Sequence, residues 1–131
     1  MNFDLTGKTA VVFGGTGGIG RGICLTMADH GADVIPVSRN IKNVMEVADE
    51  IESLGKRSCA EIVDACNPEE ITAFRDRILG AFGKVDILVN SQGVSIRDHI
   101  LEYKYETWRE IDRFRPGAVS YPGECHRSRL V

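Results

Sequence analysis

Apolar residues along this 131-residue chain follow two alternating rhythms. Short, β-branched runs that stop at glycine or polar residues read as buried strands: Thr9 to Phe13, Asp33 to Val37, Cys59 to Val63 and Val85 to Val89. Between them the period lengthens to that of helices. Ile19, Ile23 and Met27 recur every four positions up to His30 and Gly31, and Ile41, Val44, Met45, Ala48, Ile51 and Leu54 trace a second face closed by Gly55. Asn67, Pro68, Glu69 and Glu70 combine an N-cap type, a first-turn proline and acids facing the helix dipole. The helix they open would bury Ile71, Phe74, Ile78 and Phe82 and stop at Gly83; a weaker helix, Tyr105 to Arg113, follows a polar loop. Strand and helix thus alternate four times with helix-length crossovers, which predicts an α/β fold: a parallel sheet with helices on both faces. Pro36 cannot donate to a ladder and suits an edge or a bulge better than a sheet interior.

Composition narrows the class. With 43% hydrophobic and 27% charged residues the chain is globular in type, and its length suits one domain. No apolar run approaches the ~18 residues of a spanning helix, and the N-terminus lacks the layout of a signal peptide, so we expect a cytoplasmic protein with no membrane partner. Residues 1–112 carry 12 basic and 18 acidic side chains, which argues against nucleic acid as a partner. Cys24, Cys59, Cys66 and Cys125 form no CxxC pair, and no histidine stands at ligand spacing, so we expect small buried or incidental thiols and no metal site.

The chemistry lies between the first strand and its helix, in GGTGGIG, Gly14 to Gly20. It satisfies GxGxxG and also the wider GxxxGxG. A strand must turn sharply into a helix whose free N–H groups face a pyrophosphate, and side chains there would keep the anion away. Gly14, Thr16, Gly17, Gly18, Ile19 and Gly20 are the candidates to hold a dinucleotide. At the end of the second strand, where an NAD site shows an acid, stand Ser38 and Arg39; a hydroxyl and a guanidinium can bond a 2′-phosphate, which favours NADP(H) over NAD(H). The alternative is that Arg39 is a solvated loop residue. Asp64, followed by Ala65, stands just after the third strand and either accepts from the adenine amino group or serves as a turn acid.

With VVFGGTGGIG, VDAC and VDILVNSQG in order, residues 3 to 113 resemble the short-chain dehydrogenase/reductase family. The glycine run is similar to that family's TGxxxGxG, with Phe13 in place of threonine. Asn90, Ser91, Gln92 and Gly93 are similar to its NNAG, which lines the cofactor's ribose; this implies roles for Asn90, Gln92 and Gly93, with Gln92 bulkier than the usual alanine. The resemblance implies a Rossmann-type sheet that begins 3-2-1-4, and hydride transfer between NADP(H) and a hydroxyl or carbonyl carbon of a small alcohol or ketone. It is nearest to family members acting on sugar acids or 3-oxoacyl groups.

The family's catalytic serine, and its tyrosine with a lysine four residues on, have no counterpart. Tyr103, Tyr105 and Tyr121 are followed at that spacing by Thr107, Arg109 and Cys125, and no lysine follows Lys104. No catalytic residue is therefore expected in this chain. Residues 113–131, with four arginines and one acid, have neither rhythm. We expect a dinucleotide-binding domain over 1–113, cut short C-terminally by a shifted reading frame, an alternative end or a mispredicted coding region, and an irregular, disordered tail over 114–131. The chain by itself would then be catalytically incomplete: a cofactor-binding half, a non-catalytic module or a non-functional fragment. Val85 to Val89 would be an apolar sheet edge with Asp86 as its only charge, favouring a homo-oligomer or aggregate.

Overall fold

The computed structural model describes residues 3–93, 99 and 101–112. The chain divides into two compact units, Met1–Gly93 and Val94–Val131. The expected boundary at residue 113 and the expected irregular tail over 114–131 lie outside the described residues.

The first unit holds β1 (Thr9–Phe13), α1 (Gly18–Asp29), β2 (Asp33–Ser38), α2 (Ile41–Ser53), β3 (Glu61–Ile62), α3 (Pro68–Phe82) and β4 (Ile87–Asn90). The strands form one parallel sheet in the order β3-β2-β1-β4. Period-two alternation along β1 and β2 feeds two cores. Ala10, Val12 and Val34 pack with Cys24 and Ala28 of α1 and Val47 and Ile51 of α2. Val11, Phe13, Ile35 and Val37 pack with Val63 and with Phe74 and Ile78 of α3. The predicted two-faced α/β sheet is therefore the observed one. Each buried Val or Ile contributes on the order of 1.5–3 kcal/mol, so the β1–β2 heart carries much of this unit's stability.

Local signals hold at the helix ends. Asn67 Oδ1 accepts from the N–H groups of Glu69 and Glu70, and its amide donates to Glu70 Oε1, with Pro68 in the first turn. Asn40 caps α2 in the same way, accepting from Lys42 and Asn43. Each such cap is worth about 1 kcal/mol.

Four expectations need correction. The inner face of α1 is centred on Gly20, Cys24 and Ala28, with Ile23 and Met27 packed on the core beside it; small residues let the helix lie close to the sheet, and Ile19 is left 78% exposed. In α2, Val47 is buried and Met45 is not. The third strand shrinks to two residues, and Pro36 sits in an interior strand. Both facts have one cause. The N–H of Val34 and the carbonyl of Ser38 point toward the β3 side, so by alternation the nitrogen of Pro36 does too, and it has no proton to give there; pairing with β3 starts only at Val37–Glu61.

Asp86 joins β4 to β1. Its Oδ2 accepts from the Thr9 N–H at 2.9 Å while its own N–H donates to the Thr9 carbonyl at 2.9 Å. It is bound to β1, and the regular ladder begins after it, at Ala10–Ile87. Asp86, the one charge in this stretch, therefore fastens β4 to β1.

In the second unit α4 spans Tyr105–Asp112, preceded by a half-buried Tyr103 whose ring lies 5.3 Å from that of Trp108. Among the described residues no helix is long and apolar enough to cross a membrane.

Candidate cofactor site

All four strands run the same way, so their C-terminal ends share one edge of the sheet, where open α/β folds bind ligands. Across it lie Asp64 and Ala65, just beyond β3; Ser38 and Arg39; the turn Gly14 to Gly17 leading into α1; and Asn90 to Gly93. The candidates from four separate stretches of sequence thus line one edge.

The turn is tied to both neighbouring strand ends. Gly14 N–H donates to the Val37 carbonyl at 2.9 Å, and Ser91 N–H donates to the Phe13 carbonyl at 2.9 Å. Gly14 adopts φ +74°, and a Cβ there would lie 2.6 Å from the carbonyl carbon and oxygen of Ser91. At Gly20 a Cβ would stand 1.9 Å from the Gly14 oxygen. These two glycines are needed for backbone to meet backbone. Gly18 faces open space, and Gly17 nearly so, so they leave a clear approach to the start of α1. The structure thus gives the overlapping motifs separate work: Gly14 and Gly20 fold the turn, and Gly17 and Gly18 bare it.

That helix start lacks the usual partners. No side chain caps α1, and its first turn contains no acid. Its leading N–H groups and the positive end of its dipole therefore face outward over a glycine surface, which is the chemistry that receives a phosphate. Thr16 is half-buried in the turn, and Ile19 is exposed beside it.

The structure adds a positioning role for Gly15, the first glycine of the GxGxxG, and for Cys24, which the sequence did not single out as a site residue. A Cβ on Gly15 would fall 2.9 Å from the Val12 oxygen and 3.1 Å from the Cys24 sulfur. The Cys24 thiol points at the Gly15 carbonyl, 3.7 Å away, and burial pushes its pKa up to about 12, so it stays a protonated donor. The four-residue step Gly20, Cys24, Ala28 was the available signal. Phe13 is likewise no mere loss of a hydroxyl: its ring meets Phe74 edge-on at 5.7 Å, anchoring the end of β1 to α3.

The flanks are more mixed. Ser38 Oγ accepts from the Asn40 N–H at 3.1 Å, and Arg39 is exposed at the strand end. Asp64 carries the turn role, its Oδ1 accepting from the Cys66 N–H at 2.9 Å while its own N–H donates to Glu70. Ala65 packs against the α3-side core. Asn90 is exposed at the end of β4, Gly93 is exposed beyond it, and Gln92 is half-buried with its Oε1 shielded and accepting no hydrogen bond. Of the cysteines expected to be buried or incidental, Cys24 is buried, Cys59 half-buried and Cys66 exposed.

Two features fit a dinucleotide: an uncapped helix start bordered by side-chain-free backbone, and a buried acceptor without a donor beside it.

Known proteins match this sequence and fold. Residues 8–114 match the family model for short chain dehydrogenase. The chain is 35% identical over 129 residues to 2-dehydro-3-deoxy-D-gluconate 5-dehydrogenase of Escherichia coli, covering 98% of this chain and 50% of that protein. It superposes with a TM-score of 0.81 at 30% identity on a short-chain type dehydrogenase/reductase from Mycobacterium marinum, covering 86% of this chain and 46% of the other. With L-sorbose reductase from Gluconobacter frateurii, solved with NADPH and L-sorbose, the TM-score is 0.76 at 33% identity, covering 87% and 44%. The chain spans about half the length of the curated relatives it matches. On its sheet order, its glycine turn and these matches, the chain belongs to the short-chain dehydrogenase/reductase family.

Proposed function

We propose that this chain binds NADP(H) in preference to NAD(H) and forms the cofactor-binding half of an oxidoreductase acting on a small hydroxyl or carbonyl compound. One observation carries the reading: the side-chain-free turn opens onto an uncapped helix start, with Ser38 and Arg39 at the neighbouring strand end. When bound, the nicotinamide supplies or accepts the hydride. The chain's own residues hold and orient it: the leading amides of α1 receive the pyrophosphate, Arg39 and Ser38 take the 2′-phosphate, Asp64 and Ala65 border the adenine, and Asn90, Gln92 and Gly93 border the other ribose. Sugar acids and 3-oxoacyl groups are the substrate types supported, because matched relatives include a 2-dehydro-3-deoxy-D-gluconate 5-dehydrogenase and a 3-oxoacyl-[acyl-carrier-protein] reductase.

A second reading, a module that holds nucleotide without turnover, is supported by one feature of the 131 residues: no tyrosine has a lysine four residues on. Without that pair the carbonyl oxygen has no positioned proton donor, a contribution of roughly 10²–10⁴ in rate.

Calorimetric titration separates the cofactor claims. NADPH should bind tighter than NADH by about 1–3 kcal/mol, the worth of a charge-assisted phosphate contact, and Arg39→Ala should remove most of that preference. Equal affinities, or a preference that survives the substitution, would take Arg39 out of the site. NADPH oxidation with a panel of keto sugar acids and 3-oxoacyl compounds then distinguishes the half-enzyme from an active one.

A further inference from the structure

Gln92 stands where the family motif carries alanine. Among the described residues its Oε1 is the one buried side-chain polar atom without a hydrogen-bond partner. Such an acceptor is a standing cost to the free protein, and a donor brought to it recovers that cost. Its backbone cannot retreat from the site. The preceding Ser91 N–H is bonded to the Phe13 carbonyl, and the Gln92 nitrogen lies 2.7 Å from where a Cβ on Gly14 would be. Freedom remains in the side chain: the residue is only half-buried, and the terminal amide torsion is broad.

Strand order gives the direction of a bound ligand. Arg39 ends β2 on one side of β1, and Gln92 follows β4 on the other. A dinucleotide with its pyrophosphate on the turn and its 2′-phosphate at Arg39 must send its remaining half across the end of β4. The pyrophosphate offers no donor, so the nearest donors to Gln92 are the hydroxyls of the ribose next in line.

We infer that Gln92 is a specificity-determining residue for the nicotinamide-bearing half of the dinucleotide, its carboxamide oxygen accepting a hydrogen bond from a hydroxyl of that half's ribose. Its size then serves a contact and does not obstruct the site. The inference rests on the dinucleotide reading above.

Calorimetry on the 131-residue chain tests it with two ligands, NADPH and 2′,5′-ADP, the latter carrying only the adenine-side half. Gln92→Leu keeps much of the volume and removes the acceptor; Gln92→Ala removes both. We expect NADPH affinity to fall roughly 5–20-fold in both variants, 2′,5′-ADP affinity to stay within about twofold, and the ligand-free Tm of Gln92→Leu to equal or exceed that of the parent, since a buried unpaired acceptor is gone. Unchanged NADPH affinity in Gln92→Leu would overturn the inference while leaving the dinucleotide reading intact. Tighter NADPH binding by Gln92→Ala would do the same and make the side chain an obstruction. Parallel loss of both ligands would show that the substitution spoiled the turn, and the inference would fall. If neither ligand bound the parent chain, the dinucleotide reading would fail first and the inference with it.

Discussion

β1 and β4 lie side by side in one sheet and are equally apolar in sequence, yet they live in different environments. Every residue of β1 is buried, whereas β4 alternates between half-buried and exposed positions. Leu88, paired with the buried Val11 on the same face, is 60% exposed. α1 and α2 cover one face of the β1–β2 heart and α3 the other, and the β4 residues packed on a core, Ile87 and Val89, reach only the α1–α2 side. Hydrophobicity therefore shows which residues can be buried, and the covering elements decide which are.

The sharpest way to break this contrast is to truncate matched side chains. Ile35→Ala, in the fully buried part of β2, should cost about 2–5 kcal/mol. Leu88→Ala should stay within about 0.5 kcal/mol. Urea unfolding reads both, and a large loss at Leu88 would mean that its face is covered in solution.

Next in size is the turn. Gly20→Ala drives a methyl toward the Gly14 carbonyl, at 1.9 Å before any relaxation, and should destabilise by about 1–3 kcal/mol and abolish NADPH binding. Gly18→Ala meets open space and should leave stability unchanged or slightly raised. Equal effects at the two positions would contradict the division of labour between them.

Much of this was readable from sequence because the rhythm of Val11, Val12, Ile35 and Val37 and the cap at Asn67 are local signals. The misses are tertiary. Ile19 was placed inside because it shares a period with Ile23, but the approach of Gly20 to Gly14 centres the inner face of α1 on Gly20, Cys24 and Ala28. The short β3 depends on which way the Pro36 nitrogen points, and that is fixed only once β2 is paired. The role of Asp86 is likewise tertiary, because nothing local foretells a bond to Thr9, 77 positions away. At the site, the glycine turn was legible from spacing alone, whereas the support from Gly15 and Cys24 and the unpaired Gln92 oxygen required the fold.

The smallest predicted effect sharpens the join between β4 and β1. The Thr9 N–H and, second, the Lys84 ammonium hold the Asp86 carboxyl below its ordinary pKa. A depressed folded-state pKa gives stability that is present above the unfolded value, about 3.9, and lost as pH falls through the lower folded value. Asp86→Asn should therefore melt below the parent at neutral pH, with the gap closing in acid. A gap that stays constant with pH would mean that the ionised carboxylate contributes nothing to the join.

The central claim is that the bare helix start beside the glycine turn receives the dinucleotide. Residue-resolved amide hydrogen exchange, with and without saturating NADPH, tests it most directly. The account predicts slowed exchange at Gly18, Ile19 and Gly20, with a second slowed group at Ser38 and Arg39. Unchanged exchange at the three helix-start amides in a chain that binds NADPH would contradict it.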